Sequence, residues 1–125
     1  MIQEFIDRFQ EIKPDLLKQF QSKEPDSYGD ILVQTLHMMF QDGDYDKPDA
    51  SRLTVIDDGD YQGTLLFIIG ANGYQPSTYW SVYVNYGSCS GCDSYQAVAC
   101  YDNPEESADE MLLMALHMIQ SMKQI

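Results

Sequence analysis

Positive charge is what this chain has least of. Seven Lys and Arg stand against twenty Asp and Glu, giving a net charge of −13 over 125 residues. The shortage is local. Residues 24–110 hold sixteen acids and only Lys47 and Arg52, whereas residues 1–23 balance Glu4, Asp7, Glu11 and Asp15 against Arg8, Lys13, Lys18 and Lys23. A field of that sign repels nucleic acid and anionic membranes and attracts basic proteins. Solubility is the plainer reading of the same charge. Long apolar runs are also missing: none approaches the roughly 18 residues that span a bilayer. The opening Met1-Ile2-Gln3-Glu4-Phe5 lacks the basic stretch of a secretory signal, so a cytoplasmic protein is expected. Cysteine is scarce and odd in number. Three cannot all pair within one chain, so in a reducing compartment free or metal-bound thiols are expected. No linker, repeat or low-complexity segment interrupts the chain. With 44% hydrophobic residues, residues 1–125 read as a single domain with its own core.

What is present is clear periodicity. Ile2, Phe5, Phe9, Ile12, Leu16 and Phe20 recur at three and four, which predicts an amphipathic helix with Glu4, Asp7, Arg8 and Glu11 on its wet face. Pro14 interrupts it, so two short helices or one kinked helix both fit. Asp26 or Ser27 can cap a second helix carrying Tyr28, Ile31, Leu32, Leu36, Met39 and Phe40, with Gly43 just past its end. An acidic loop over residues 42–49 follows. Strands are predicted over Arg52–Ile56, Tyr61–Ile69 and Tyr79–Tyr86, with Leu65–Ile69 central. In the third, Trp80, Val82, Val84 and Tyr86 share one face and Tyr79, Ser81, Tyr83 and Asn85 the other. Ser94–Tyr101 reads as a short helix. Asn103-Pro104-Glu105-Glu106 starts a last helix running to about Met122; continuous Met111–Leu116 suggests burial on more than one side.

Several motifs carry candidate chemistry. Cys89-Ser90-Gly91-Cys92 has the spacing of a zinc half-site, with Cys100 as a third ligand and His117 or His37 as a fourth. There is no second such pair, and a histidine in an apolar helix is commonly a core residue. A redox pair is opposed by Asp93, whose carboxylate disfavours the thiolate; small core cysteines in a tight loop are the plain alternative. Gly87-Ser88-Cys89-Ser90-Gly91 has the outline of a nucleophile elbow, but 125 residues do not supply the large parallel sheet that motif needs. A phosphate cradle there would lack a cation, since no Lys or Arg lies between Leu53 and Gln120. The acids Asp57, Asp58 and Asp60, or Asp42, Asp44, Asp46 and Asp49, could gather Ca²⁺, yet neither set matches an EF-hand loop; hydrated turn acids are the simpler account. Nine tyrosines, mostly between Tyr61 and Tyr101, suit either an interaction surface or a core.

Three strings carry a resemblance: residues 57–64 (Asp57-Asp58-Gly59-Asp60-Tyr61-Gln62-Gly63-Thr64), residues 86–93 (Tyr86-Gly87-Ser88-Cys89-Ser90-Gly91-Cys92-Asp93) and residues 116–120 (Leu116-His117-Met118-Ile119-Gln120). Through them the chain resembles a family of small acidic proteins of tailed bacteriophages. The resemblance covers roughly residues 55–123 and implies expression inside an infected bacterial cell, reduced cysteines and an accessory role. It implies no catalytic residue.

The expected fold is α+β: a three-stranded antiparallel β-meander covered by N-terminal helices and a buried C-terminal helix. The expected function is non-enzymatic and cofactor-free: binding of a basic host or defence protein through an acidic surface that mimics nucleic acid, with no direct nucleic-acid or membrane partner. The expected partner-binding residues are Asp42, Asp44, Asp46, Asp57, Asp58, Asp60 and Tyr61. One alternative is a metal- or thiol-dependent protein using Cys89, Cys92 and Cys100, with zinc as the metal. Another is a structural domain that forms a homo-oligomer.

Overall fold

The computed structural model describes residues 2–41, 44–59, 63–73, 78–86 and 104–125. The helix α1 spans Ile2–Ser22. It turns Phe5, Phe9, Leu16 and Phe20 inward, all 2% exposed or less. It is continuous through Pro14. The missing N–H of Pro14 orphans only the carbonyl of Gln10, and both residues are exposed, so water can satisfy it.

Helix α2 spans Tyr28–Met39. Ser27 is its cap: its Oγ accepts from the N–H of Asp30 at 3.0 Å, and the Asp30 carboxylate reaches back to accept from the N–H of Asp26 at 3.1 Å. The helix stops short of Gly43, because Phe40 turns extended while its N–H still bonds the carbonyl of Leu36. That turn sets the Phe40 ring edge-on to Phe5, centroids 5.3 Å apart.

The strands are β1 (Pro48–Gly59), β2 (Gly63–Ala71), β3 (Tyr79–Tyr86) and β4 (Lys123–Gln124), in the order β1-β2-β3-β4 and antiparallel throughout. Among the described residues the sheet has four strands rather than three. After helix α3 (Pro104–Ser121) the chain turns back, and Lys123 and Gln124 pair with Ser81 and Trp80. The N–H of Ile125 adds a bond to the carbonyl of Tyr79 at 2.9 Å. Two residues carry no period, so only tertiary proximity makes this strand. β1 begins four residues before the expected Arg52, with a register irregularity between Pro48 and Leu53; a proline without an N–H is tolerated at a strand start.

The three described helices lie on one side of the sheet. Phe67, Ile69, Trp80 and Val82 meet the inward stripes of α1, α2 and α3. Along α3 the buried residues are Ala108, Met111, Leu112, Ala115, Met118 and Ile119, a single stripe, and Leu113 faces out. α1 and α3 run antiparallel. Ser107 near the start of α3 donates to Glu24 just beyond the end of α1 at 3.4 Å. At the other end Trp80, which pairs with β4, lies 6.0 Å from Phe5.

Candidate functional site: an acidic groove beside the first helix

Of the seven expected partner-binding residues, the three whose side chains are described, Asp44, Asp46 and Asp57, do not form one cluster. Asp44 and Asp46 precede β1, and Asp57 is near its far end. The cross-strand partners of Asp46 and Asp57, Asn72 just past β2 and Leu65 within it, are seven residues apart, so at roughly 3.3 Å per strand residue the two groups stand about 20 Å apart. Asp42, Asp60 and Tyr61 lie outside the described residues, as does the side chain of Asp58. So do Cys89, Cys92 and Cys100 and the short helix expected over Ser94–Tyr101. His37 and His117 sit on α2 and α3 and are exposed rather than in the core. Among the described residues no three His, Cys, Asp or Glu side chains gather as a metal site, and no described helix is long and apolar enough to cross a membrane.

Asp44 has a structural task. Its carboxylate accepts from the N–H of Gln41 at 2.7 Å and pairs with Arg8 at 3.2 Å. The Gln41 N–H is the main cause holding its carboxyl below the ordinary range; partial burial opposes, and Arg8 adds to the lowering. Asp49 is similar. Burial pushes its carboxyl up, but the hydroxyl and N–H of Ser51, at 2.7 and 2.9 Å, outweigh it together with Arg52, and the net shift is downward. Asp46 is different: it is exposed, with φ of 64°, and its N–H bonds the carbonyl of Asn72 at 2.9 Å. Asp tolerates that left-handed geometry better than most residues.

These contacts fasten the loop onto α1. Arg8 donates to the carbonyl of Met39 at 3.3 Å, lies 4.9 Å from the centroid of the Phe40 ring and pairs with Glu4 at 3.7 Å. Lys47 reaches both carboxylate oxygens of Glu4 at 3.0 Å. The anchored region borders a shallow groove of about 550 Å³ lined by Glu4, Asp7, Arg8, Glu11, Ile12 and Met39. Ile12 and Met39 give it an apolar floor, and carboxylates rim it. Asp7, Glu11 and Asp15 repeat every four residues along exposed helix, about 6 Å per step. The ion pairs among the described residues use only Glu4, Asp44 and Asp49 on the acidic side. Asp7, Glu11 and Asp15 therefore take part in no ion pair among the described residues.

Such a groove suits a Lys or Arg side chain, whose aliphatic stem can lie on Ile12 and Met39 while its head meets carboxylates. The acids of α1 escaped the sequence reading because wet-face acids are the ordinary finish of an amphipathic helix. Their signal was present: Glu4, Asp7, Glu11 and Asp15 share a face, with only Arg8 beside them in the first half of the helix.

No family model matches the chain, and no curated protein or solved structure shows significant similarity to it. The likeness to phage proteins thus rests on its three sequence strings alone.

Proposed function

We propose that this chain is a non-enzymatic binding protein that engages a basic protein through the carboxylates of α1 and the adjoining loop. The observation that carries the reading is the run Asp7, Glu11 and Asp15: three exposed acids with no ion pair among the described residues, on one helix beside a groove floored by Ile12 and Met39. Carboxylates held at fixed intervals can occupy Lys and Arg side chains that otherwise grip phosphates. The phage resemblance supplies the setting, a bacterial cell, and the role, an accessory protein acting on a host or defence protein that handles nucleic acid.

The test is capture from bacterial lysate by tagged full-length protein, with and without competing duplex DNA. The reading expects one basic, nucleic-acid-handling protein retained in defined ratio, displaced by DNA and released as salt rises. It also expects Asp7→Asn/Glu11→Gln/Asp15→Asn to lose that protein at least tenfold. Retention that ignores both DNA and these substitutions would remove the basis of the proposal.

A further inference from the structure

We propose that the edge of β3 beside the end of α3 takes a short extended segment of another protein as an added strand. The inference uses none of the α1 carboxylates and stands apart from the basic-protein reading above. It starts from the direction of backbone bonds. In an antiparallel strand paired on both sides, successive residues point their N–H and C=O alternately to one neighbour and the other. Thr78 accepts from the N–H of Ala71 on β2 at 3.0 Å, and Tyr79 accepts from the N–H of Ile125, next to β4, at 2.9 Å. Trp80, Val82 and Val84 therefore bond towards β2, while Tyr79, Ser81, Tyr83 and Asn85 face the β4 edge. β4 covers that edge only opposite Trp80 and Ser81. Among the described residues no strand pairs with Tyr83 or Asn85 on that side.

A cavity of about 280 Å³ opens at the same stretch, between β3 and the last turns of α3. Val84, Met114 and Met118 give it an apolar wall; Asn85, His117 and Ser121 give it a polar one. Val84 is on the helix side of the sheet, packed against the core. Residues directly opposite on neighbouring strands share a face. In an added strand, the residue opposite Val84 thus turns its side chain into the cavity. Its two neighbours, opposite Tyr83 and Asn85, exchange backbone bonds with them and turn their side chains outward.

The edge itself selects the occupant. N–H and C=O groups at strand spacing are matched by another extended backbone, and the cavity beside them by one apolar side chain; main-chain bonds give affinity and the pocket gives specificity. β4 is the same solution within the chain: Lys123 and Gln124 have no period of their own and become a strand on this edge. β4 also limits the length. Lys123 stands opposite Ser81, so an incoming segment must end or turn away near Val82. The eight-residue β3 of a second copy meets that block, whereas a short peptide does not. Among the described residues lining the cavity there is no Asp, Glu, Lys or Arg, so the inserted side chain is uncharged. The net charge of −13 disfavours an acidic segment. The occupant is therefore short, extended, neutral or basic, with one apolar side chain at its centre.

The experiment is NMR of the full chain with the acetylated, amidated peptide Thr-Thr-Leu-Thr-Thr as probe. In the chain alone, the Tyr83 and Asn85 amides should exchange with solvent at least roughly tenfold faster than those of Val82 and Val84. The peptide should shift the Tyr83 and Asn85 amide resonances and slow their exchange. It should do so equally at low and high salt, unlike capture through carboxylates. Replacing its Leu by Ala should weaken binding about tenfold. N-methylation of the Thr on either side of Leu should abolish binding, because those N–H groups face β3. N-methylation of Leu itself should leave binding intact, because that N–H faces away. Tyr83 and Asn85 amides as protected as their neighbours in the chain alone would overturn the proposal, since something else already pairs there. So would protection that grows with chain concentration in the absence of peptide, which makes the occupant a second copy. A peptide that shifts neither amide, or binds regardless of which position is methylated, overturns it as well.

Discussion

On α1 the apolar side chains turn inward and the carboxylates outward; on the back of the sheet the apolar side chains themselves face out. The first arrangement is the usual amphipathic solution, and its stability comes from Phe5, Phe9, Leu16 and Phe20 packed in one core. The second buries little within the chain, so Ile56, Tyr79 and Tyr83 contribute little to the monomer. The two surfaces also differ in charge: exposed Asp7, Glu11 and Asp15 on one side, and Arg52 and Lys123 on the other, with Asp58 at the end of that face by strand register. A molecule of net charge −13 is therefore not uniformly acidic, and its two sides are suited to different company.

The comparison breaks most visibly if core and back face respond alike to truncation. Phe9 is fully buried, so Phe9→Ala should lower unfolding free energy by about 3–5 kcal/mol in chemical denaturation. Tyr83→Ala should change it by no more than about 0.5 kcal/mol for the monomer. Equal losses would mean that the back face is a second core.

Arg8→Ala comes next. It removes the contacts to Glu4, Asp44, the Phe40 ring and the Met39 carbonyl together, and should cost about 1–2 kcal/mol. A loss below about 0.3 kcal/mol would mean the loop is not fastened to α1 by this residue. Removing the α2 cap by Ser27→Ala should cost about 1 kcal/mol, and Ser27→Asp should retain most of that.

The smallest effect is pH. The Asp44 and Asp49 carboxyls are lowered in the folded chain. Their stabilisation is present above the ordinary Asp value of about 4 and is lost as pH falls through their lowered values. Asp44→Asn should flatten the acid limb of a stability-against-pH curve. If the limb is unchanged, the Gln41 and Arg8 contacts do not act as argued.

Much of the fold was legible in the residues. The stripes on α1 and α2 and the alternation over Tyr79–Tyr86 name their elements because burial on one face leaves a period. β4 was not legible, since Lys123 and Gln124 acquire strand geometry only by reaching the edge of β3. Pro14 suggested a break that exposed helix absorbs. The candidate site was harder to see. Asp44 looks like any loop acid until Arg8, thirty-six positions earlier, is beside it. The Asp46 and Asp57 groups were expected in two loops flanking one strand, and β1 runs on through Asp57 to Gly59. Spacing along the chain reports faces, while the meeting of α1 with the loop depends on how helices pack across a sheet.

The account claims that the helix side recognises the basic partner and the outward face of the sheet does not. The most direct test is parallel capture from one bacterial lysate by the parent chain, by Asp7→Asn/Glu11→Gln/Asp15→Asn and by Tyr83→Asp. The account predicts that the helix variant loses the retained basic protein at least tenfold while Tyr83→Asp keeps most of it. The reverse, with capture lost on changing Tyr83 and kept without the three helix acids, would contradict it.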